Sequence, residues 1–205
     1  KWSTMLLAHG STMQNKIDRN DDGFLDIPLN RQLNFLNRWK YNPEGNVRLQ
    51  FGISAMDELR EGGQMEFDYD RDQGGTEYYG INISTRKYQG SGKMGFLFPE
   101  KPYKSIGFQT QATWYSQESL YGMNSYDGEQ LSYYANLIYQ SIISNTNNII
   151  NFGASFQYDD YQERFNNEIF NRTEIIPGIF GQYTYTYPEK FNGIAGFRAD
   201  YNSVY

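Results

Sequence analysis

The chain has 205 residues, long enough for one or two domains with a core, yet only 39% are hydrophobic while 18% are aromatic, with 19 Tyr and 14 Phe. Valine, which soluble strand cores favour, occurs only at Val47 and Val204. No cysteine is present, His9 is the single histidine and the net charge is −6, which together exclude disulfide frameworks, thiolate chemistry and histidine-based centres, and argue against a nucleic-acid partner.

The predicted elements are nine strands, at about 2–9, 31–41, 47–57, 77–98, 105–118, 129–143, 149–160, 174–187 and 191–203. Strict alternation is the signal, because successive strand residues point to opposite faces. In the third strand Val47, Leu49, Phe51, Ile53 and Ala55 interleave with Arg48, Gln50, Gly52 and Ser54. The fifth sets Ile106, Phe108, Ala112 and Trp114 against Gly107, Gln109, Gln111 and Thr113. The sixth runs Leu131, Tyr133, Ala135, Leu137 and Tyr139, the seventh Ile150, Phe152, Ala154, Phe156 and Tyr158, and the last Phe191, Ala195, Phe197 and Tyr201. No segment carries a helical period, and no apolar run approaches the 18 residues of a membrane-spanning helix.

The connections alternate in length. Short turns are expected near 42–46, 99–104, 144–148 and 188–190, and long polar loops near 10–30, 58–76, 119–128 and 161–173. Long loops at one end, short turns at the other and one apolar face per strand describe an antiparallel up-and-down transmembrane β-barrel, all-β in class. A tilted crossing needs roughly 9–11 residues with aromatic girdles at both interfaces. Trp114 and Tyr158 each lie ten residues beyond a turn residue, Lys104 and Asn148, while Tyr41, Phe98, Tyr187 and Phe191 form the opposite girdle. A soluble sandwich has shorter strands and no need of two girdles. Nine is an odd number and both ends fall in mid-pattern, so residues 1–205 are expected to be one partial barrel domain within a longer chain.

The run Asp18-Arg-Asn-Asp-Asp-Gly-Phe-Leu-Asp26, followed by Pro28 and Asn34-Phe-Leu-Asn-Arg-Trp39, resembles a stretch of TonB-dependent outer-membrane receptors of the Bacteroidetes type. So do Phe98-Pro-Glu-Lys-Pro with Ser105-Ile-Gly, Tyr126-Asp-Gly-Glu-Gln with Tyr134-Ala-Asn-Leu-Ile-Tyr, Gly153-Ala-Ser-Phe with Tyr158-Asp-Asp-Tyr, Pro177-Gly, and Gly196-Phe-Arg-Ala-Asp-Tyr-Asn. The resemblance implies about nine strands of a 22-stranded barrel in the bacterial outer membrane, surrounded by lipid. It also implies a plug domain elsewhere in the same full-length chain and contact with TonB through a segment outside these residues. The implied role is import of a scarce ligand such as a ferric siderophore, haem or cobalamin. The alternative within the resemblance is a SusC-like importer of glycans or peptides working with a surface lipoprotein. Secreted adhesive and outer-membrane enzyme readings are weaker, and no catalytic residue is expected.

Two groups of residues carry candidate chemistry. Asp18, Asn20, Asp22 and Asp26 place oxygens at alternate positions around Gly23, as in the first half of a calcium loop. The bidentate Glu of an EF-hand is missing, since Leu29 stands at the twelfth position, so both a calcium loop and an Asx-rich turn remain open. Tyr115, Tyr121, Tyr126 and Tyr134, with Tyr161, cluster toward the loop end and suit ligand capture at a barrel mouth, with girdle and loop packing as the alternative. Arg48 and Arg198, with Lys93, point inward, either toward an anionic ligand or toward carboxylates of a plug. Asp159 and Asp160 are adjacent in a strand, face opposite ways and cannot work as an acid/base pair.

Overall fold

A computed structural model describes residues 1–204. Its strands are β1 (Trp2–Met13), β2 (Leu29–Tyr41), β3 (Val47–Gly63), β4 (Gly80–Leu97), β5 (Ser105–Tyr121), β6 (Asn124–Ile143), β7 (Asn145–Phe165), β8 (Glu168–Ile169), β9 (Arg172–Tyr187) and β10 (Phe191–Asp200), with one short helix α1 (Tyr69–Asp72). All strands lie in one antiparallel sheet in chain order, with β8 pairing only to the end of β7. The sheet does not close: β1 and β10 are its two edges.

Register converts the alternation into two faces. Paired residues share a face, and one row can be followed across the whole sheet: Trp2, Tyr41, Leu49, Met94, Phe108, Leu137, Ala154, Ile179 and Ala199. On this apolar face, counting from the short turns, β2–β7 each present at least five positions without a charge before the first ionic side chain appears, and β1, β9 and β10 carry no ionic side chain on it. The bounding charges are Arg31, Asp57, Arg86, Glu118, Glu129 and Asp160. Large side chains in this belt stand half exposed, among them Ile53, Leu137 and Phe152. Its few polar side chains satisfy each other: Asn37 donates to Thr4 Oγ1 at 3.2 Å, and the Trp39 indole N–H donates to Asn37 Oδ1. Aromatic pairs line both rims, Trp2 against Tyr41 and Tyr187 against Phe191 at the turn end, and Tyr88 stacked on Trp114 at 5.6 Å toward the loop end.

Four expected loops are shorter than the alternation suggested, because strand pairing outlasts the apolar row. The segment expected as loop 119–128 is ladder apart from a Gly122-Met123 turn, where Gly122 takes φ 62. That positive φ at the first turn position is what a two-residue hairpin requires, and glycine meets it without strain. The segment at 161–173 is a second hairpin, with β7 running to Phe165, Asn166 at φ 52 and β8 following as a tenth strand. β1 reaches Met13 and β3 reaches Gly63, so true loops cover only 14–28 and 64–79. Beyond the belt both faces are polar, so hydrogen bonding continues while the period-2 hydrophobic signal stops. At the other end β7 starts at Asn145, and the three residues Thr146–Asn148 are taken up by a register shift at Ile142/Ile143 and a positive φ at Ser144.

The two long loops pack together on the apolar-face side of β2–β5, beyond the belt. Phe24 forms a bridge to Gln64, Leu25 N–H donates to Gly63 O at 2.9 Å, and Met65 N–H donates to Gly23 O at 2.9 Å. Phe67, 8% exposed, occupies the space that a side chain at Gly80 would need. The helix α1 starts at Asp68, whose carboxylate accepts from the Asp70 and Arg71 amides at 3.0 and 3.3 Å.

Candidate functional site

The expected tyrosines do share a face. Tyr115 and Tyr121 on β5, and Tyr126 and Tyr134 on β6, all project from the polar face, and Tyr161 on β7 joins them. Two of them, Tyr126 and Tyr161, enter one hydrogen-bonded network on the parts of β6, β7 and β9 beyond the belt, and Tyr115 on β5 heads a separate short chain beside it. The central row reads Tyr115, Gln130, Tyr161 and Arg172 across four neighbouring strands. The rows on either side supply Gln117 and Glu163, and Asp159 and Glu174.

Arg172 organises this network. Its guanidinium lies 3.8 Å above the Tyr161 ring, donates to Glu174 Oε1 at 2.9 Å and pairs with Glu163. Glu163 in turn accepts from the Tyr126 hydroxyl at 2.8 Å. Gly128 makes this possible, because a Cβ there would stand 2.5 Å from the Tyr126 hydroxyl oxygen. Beneath, Asp159 is only 2% exposed and accepts from Gln130 Nε2 at 3.1 Å and Gln157 Nε2 at 2.6 Å. Tyr115 donates to Gln117 Oε1 at 2.6 Å, and Gln117 Nε2 donates to Ser119 Oγ at 2.8 Å.

Burial, and then the hydrogen bond and charge of Glu163, push the Tyr126 hydroxyl up to about 12. Burial and the Asp159 and Glu174 charges push Tyr161 up too, and the hydrogen bonds to Glu174 and Glu163 raise Arg172 further. A phenol that holds its proton more tightly when folded contributes stability that is complete below its ordinary value near 10 and is lost as pH rises toward 12. Tyrosinate absorbance is therefore expected to show late-titrating phenols with unfolding setting in above pH ~10, and Tyr126→Phe is expected to remove one late phenol and flatten that pH dependence. An unchanged titration in the variant would remove Tyr126 from the network.

Gln130, Glu163, Arg172 and Glu174 were not legible as site residues, although Tyr161, Glu163, Arg172 and Glu174 stand at alternate positions as strand partners would. The missing signal is the Asn166-Asn167 hairpin, which brings Arg172 back beside Tyr161. Asp159 and Asp160 face opposite ways as expected: Asp160 accepts from Thr173 Oγ1 at 2.7 Å on the other face.

The two expected arginines lie apart from the network and from each other. Arg48 sits at the turn end, donating to the carbonyls of Pro43 and Val47 at 3.2 Å and to that of Gly45, so it clamps the turn between β2 and β3. Arg198 on β10 chelates Asp200 with two bonds of 2.7 Å and donates to Ser155 Oγ at 3.0 Å. Six strand spacings of about 4.8 Å separate the two along the sheet, too far for one small anion.

The acidic loop forms a turn closed on itself. Asp18 accepts from the amides of Asp22 at 3.3 Å and Gly23 at 2.8 Å, Asp22 from the Phe24 amide and Asn20 Nδ2 at 2.9 Å, and Asp26 from the Arg19 amide at 2.9 Å. Gly23 takes φ 83, which permits the bend. This is Asx-turn hydrogen bonding. Among the described residues, no group of three or more His, Cys, Asp or Glu is placed to hold a metal ion.

Compared with known proteins, the chain matches no family model, no curated protein and no solved structure.

Proposed function

We propose that the chain is part of the wall of an outer-membrane β-barrel that imports a scarce ligand in a TonB-dependent manner. The observation that carries this reading is the charge-free belt. Five outward positions span about ten residues, or about 33 Å of strand. Tilted by about 40°, that length gives a band about 25 Å tall, the height of the apolar band of an outer-membrane barrel. The stacked Tyr88–Trp114 pair and the ring of first charges then mark the loop-side interface, and Trp2, Tyr41, Tyr187 and Phe191 the turn-side one. In this reading the apolar face meets lipid and the polar face turns to a plug domain of the same full-length chain. The TonB contact lies outside these residues, and the hairpins of β5–β9 reach into the extracellular medium.

The ligand classes implied by the family resemblance are ferric siderophores, haem and cobalamin. The network at the mouth favours a second reading. Asp159, Glu163 and Glu174 outnumber Arg172, and glutamine amides and tyrosine hydroxyls supply neutral donors and acceptors. Such a surface suits a neutral polyhydroxylated ligand better than an anionic ferric complex, which is the chemistry of a SusC-like glycan importer with a surface lipoprotein.

Uptake into cells expressing the full-length protein, with and without an uncoupler of the inner-membrane proton gradient, tests both. Energy-dependent accumulation of a labelled ferric siderophore, haem or cobalamin is expected under the first reading, and of a labelled oligosaccharide under the second. Equal uptake of every ligand by cells lacking the protein would overturn the import function.

A further inference from the structure

The apolar face carries a groove of about 420 Å³ across β2–β6. Gly90 and Ala112, paired with each other, form its floor, Ile53 and Leu131 its walls, and Tyr88 and Trp114 its rim toward the loop end. The protein's own packing does not require this hollow. At Gly181 a side chain would run into the Phe197 ring and at Gly80 into Phe67, whereas a Cβ at Gly90 meets nothing within 4 Å. Directly above the rim, two residues along β4 from Tyr88, stands Arg86, whose side chain is 49% exposed. Its neighbours on this face are Asp57 on β3, with a carboxylate oxygen 3.7 Å from Nε, and Ser116 on β5. Among the described residues, Arg86 has no ion pair other than this long one.

We propose that this groove is a binding site for one acyl chain of a phosphate-bearing lipid, with the phosphate held at Arg86. The inference rests on the membrane reading above. The vertical order of the site matches that of the ligand: a smooth apolar trough at hydrocarbon depth, an aromatic pair at the interface, and a cation with free donors at headgroup height. An exposed trough of this size on a soluble surface would mark a protein interface, but inside the belt an apolar chain is the surrounding solvent and one ordered chain fills the trough. Arg86 then selects the chain that bears an anionic headgroup, since arginine offers phosphate two parallel hydrogen bonds.

The test uses the full-length protein reconstituted in vesicles containing phosphatidylglycerol or phosphatidylcholine with brominated acyl chains, which quench tryptophan on contact. Subtracting the signal of the Trp114→Phe variant isolates Trp114. Phosphatidylglycerol is expected to occupy the site about fivefold more strongly than phosphatidylcholine, the equivalent of one arginine's attraction for an anionic lipid. Gly90→Leu, which the open space accommodates, and Arg86→Gln are each expected to bring the ratio to unity. Equal quenching by the two lipids in the unaltered protein, or an unchanged ratio in Gly90→Leu, would overturn the site. Trp114 shielded from both lipids while the other tryptophans are quenched would assign the groove to a protein partner instead. Absence of quenching at every tryptophan would overturn the membrane reading itself.

Discussion

On the proposed membrane reading, Leu137→Arg is expected to destabilise the protein in lipid vesicles by about 2–4 kcal/mol, and Asn136→Ala by far less. Leu137 lies at the centre of the belt, half exposed, between Phe108 and Ala154 on the neighbouring strands. Its exposed half is harmless only if the medium is apolar, and a guanidinium there must either lose hydration or drag water into the bilayer. In water, by contrast, an exposed position of this kind tolerates substitution within about ±0.5 kcal/mol. The neighbouring Asn136 faces the other way, and among the described residues its Oδ1 has no hydrogen-bond partner, so truncation removes an unsatisfied acceptor. Urea unfolding in lipid vesicles, compared between the two variants, measures the difference. Equal losses would mean that the two faces see the same medium, and the belt would lose its meaning.

The second large effect is expected at Asp159. Removing the carboxylate with Asp159→Ala strands the amide donor of Gln157 and leaves that of Gln130 with only the Tyr161 hydroxyl, in a site where the aspartate itself is 2% exposed. A loss of about 1–3 kcal/mol is expected from the unpaired Gln157 donor and the weakened Gln130 one. It should concentrate in the part of the sheet beyond the belt, because the belt rows below make no use of Asp159. Hydrogen exchange is therefore expected to speed up in the loop-end halves of β6, β7 and β9 and stay unchanged around Leu137 and Phe152. Asp159→Asn, which keeps one acceptor oxygen, is expected to recover part of the protection. Uniform acceleration along all three strands would show that the network is not a separate layer.

The contrast between these two sites also explains what could be read from the sequence. The belt was legible residue by residue, from Ile106 to Trp114 and from Leu131 to Tyr139, because a single buried or lipid-covered face forces a period of two. Beyond Glu118 and Glu129 neither face has to be apolar, so Ser119–Tyr121 and Tyr126–Gly128 read as loop although their ladder is complete. The tyrosine cluster was visible because its members lie on strands whose parity was already known. Arg172 was not, since its place beside Tyr161 depends on a two-residue turn at Asn166-Asn167 that no apolar row announces. The carboxylates of the 18–26 loop were visible as a group, but whether they face an ion or their own backbone amides is decided by dihedrals at Asp21 and Gly23 that composition does not encode. The helix α1 escaped for a different reason: at four residues it is too short to show a period, and only the cap at Asp68 marks it.

The bridge between the loops at 14–28 and 64–79 has a mechanical consequence. The loops belong to different hairpins, β1–β2 and β3–β4, yet Phe24 and Gln64 pair as strand neighbours and the Lys16 ammonium donates to the carbonyls of Met65 and Phe67. Neither loop can swing outward without breaking the same few bonds, so the two have one opening equilibrium rather than two. A molecule that touches only the first loop thereby shifts the population of the second, and a force applied at Phe67 is felt at Asp18. The four strands beneath them thus carry a single hinged flap at their outer end, moved as a unit by whatever docks on either half.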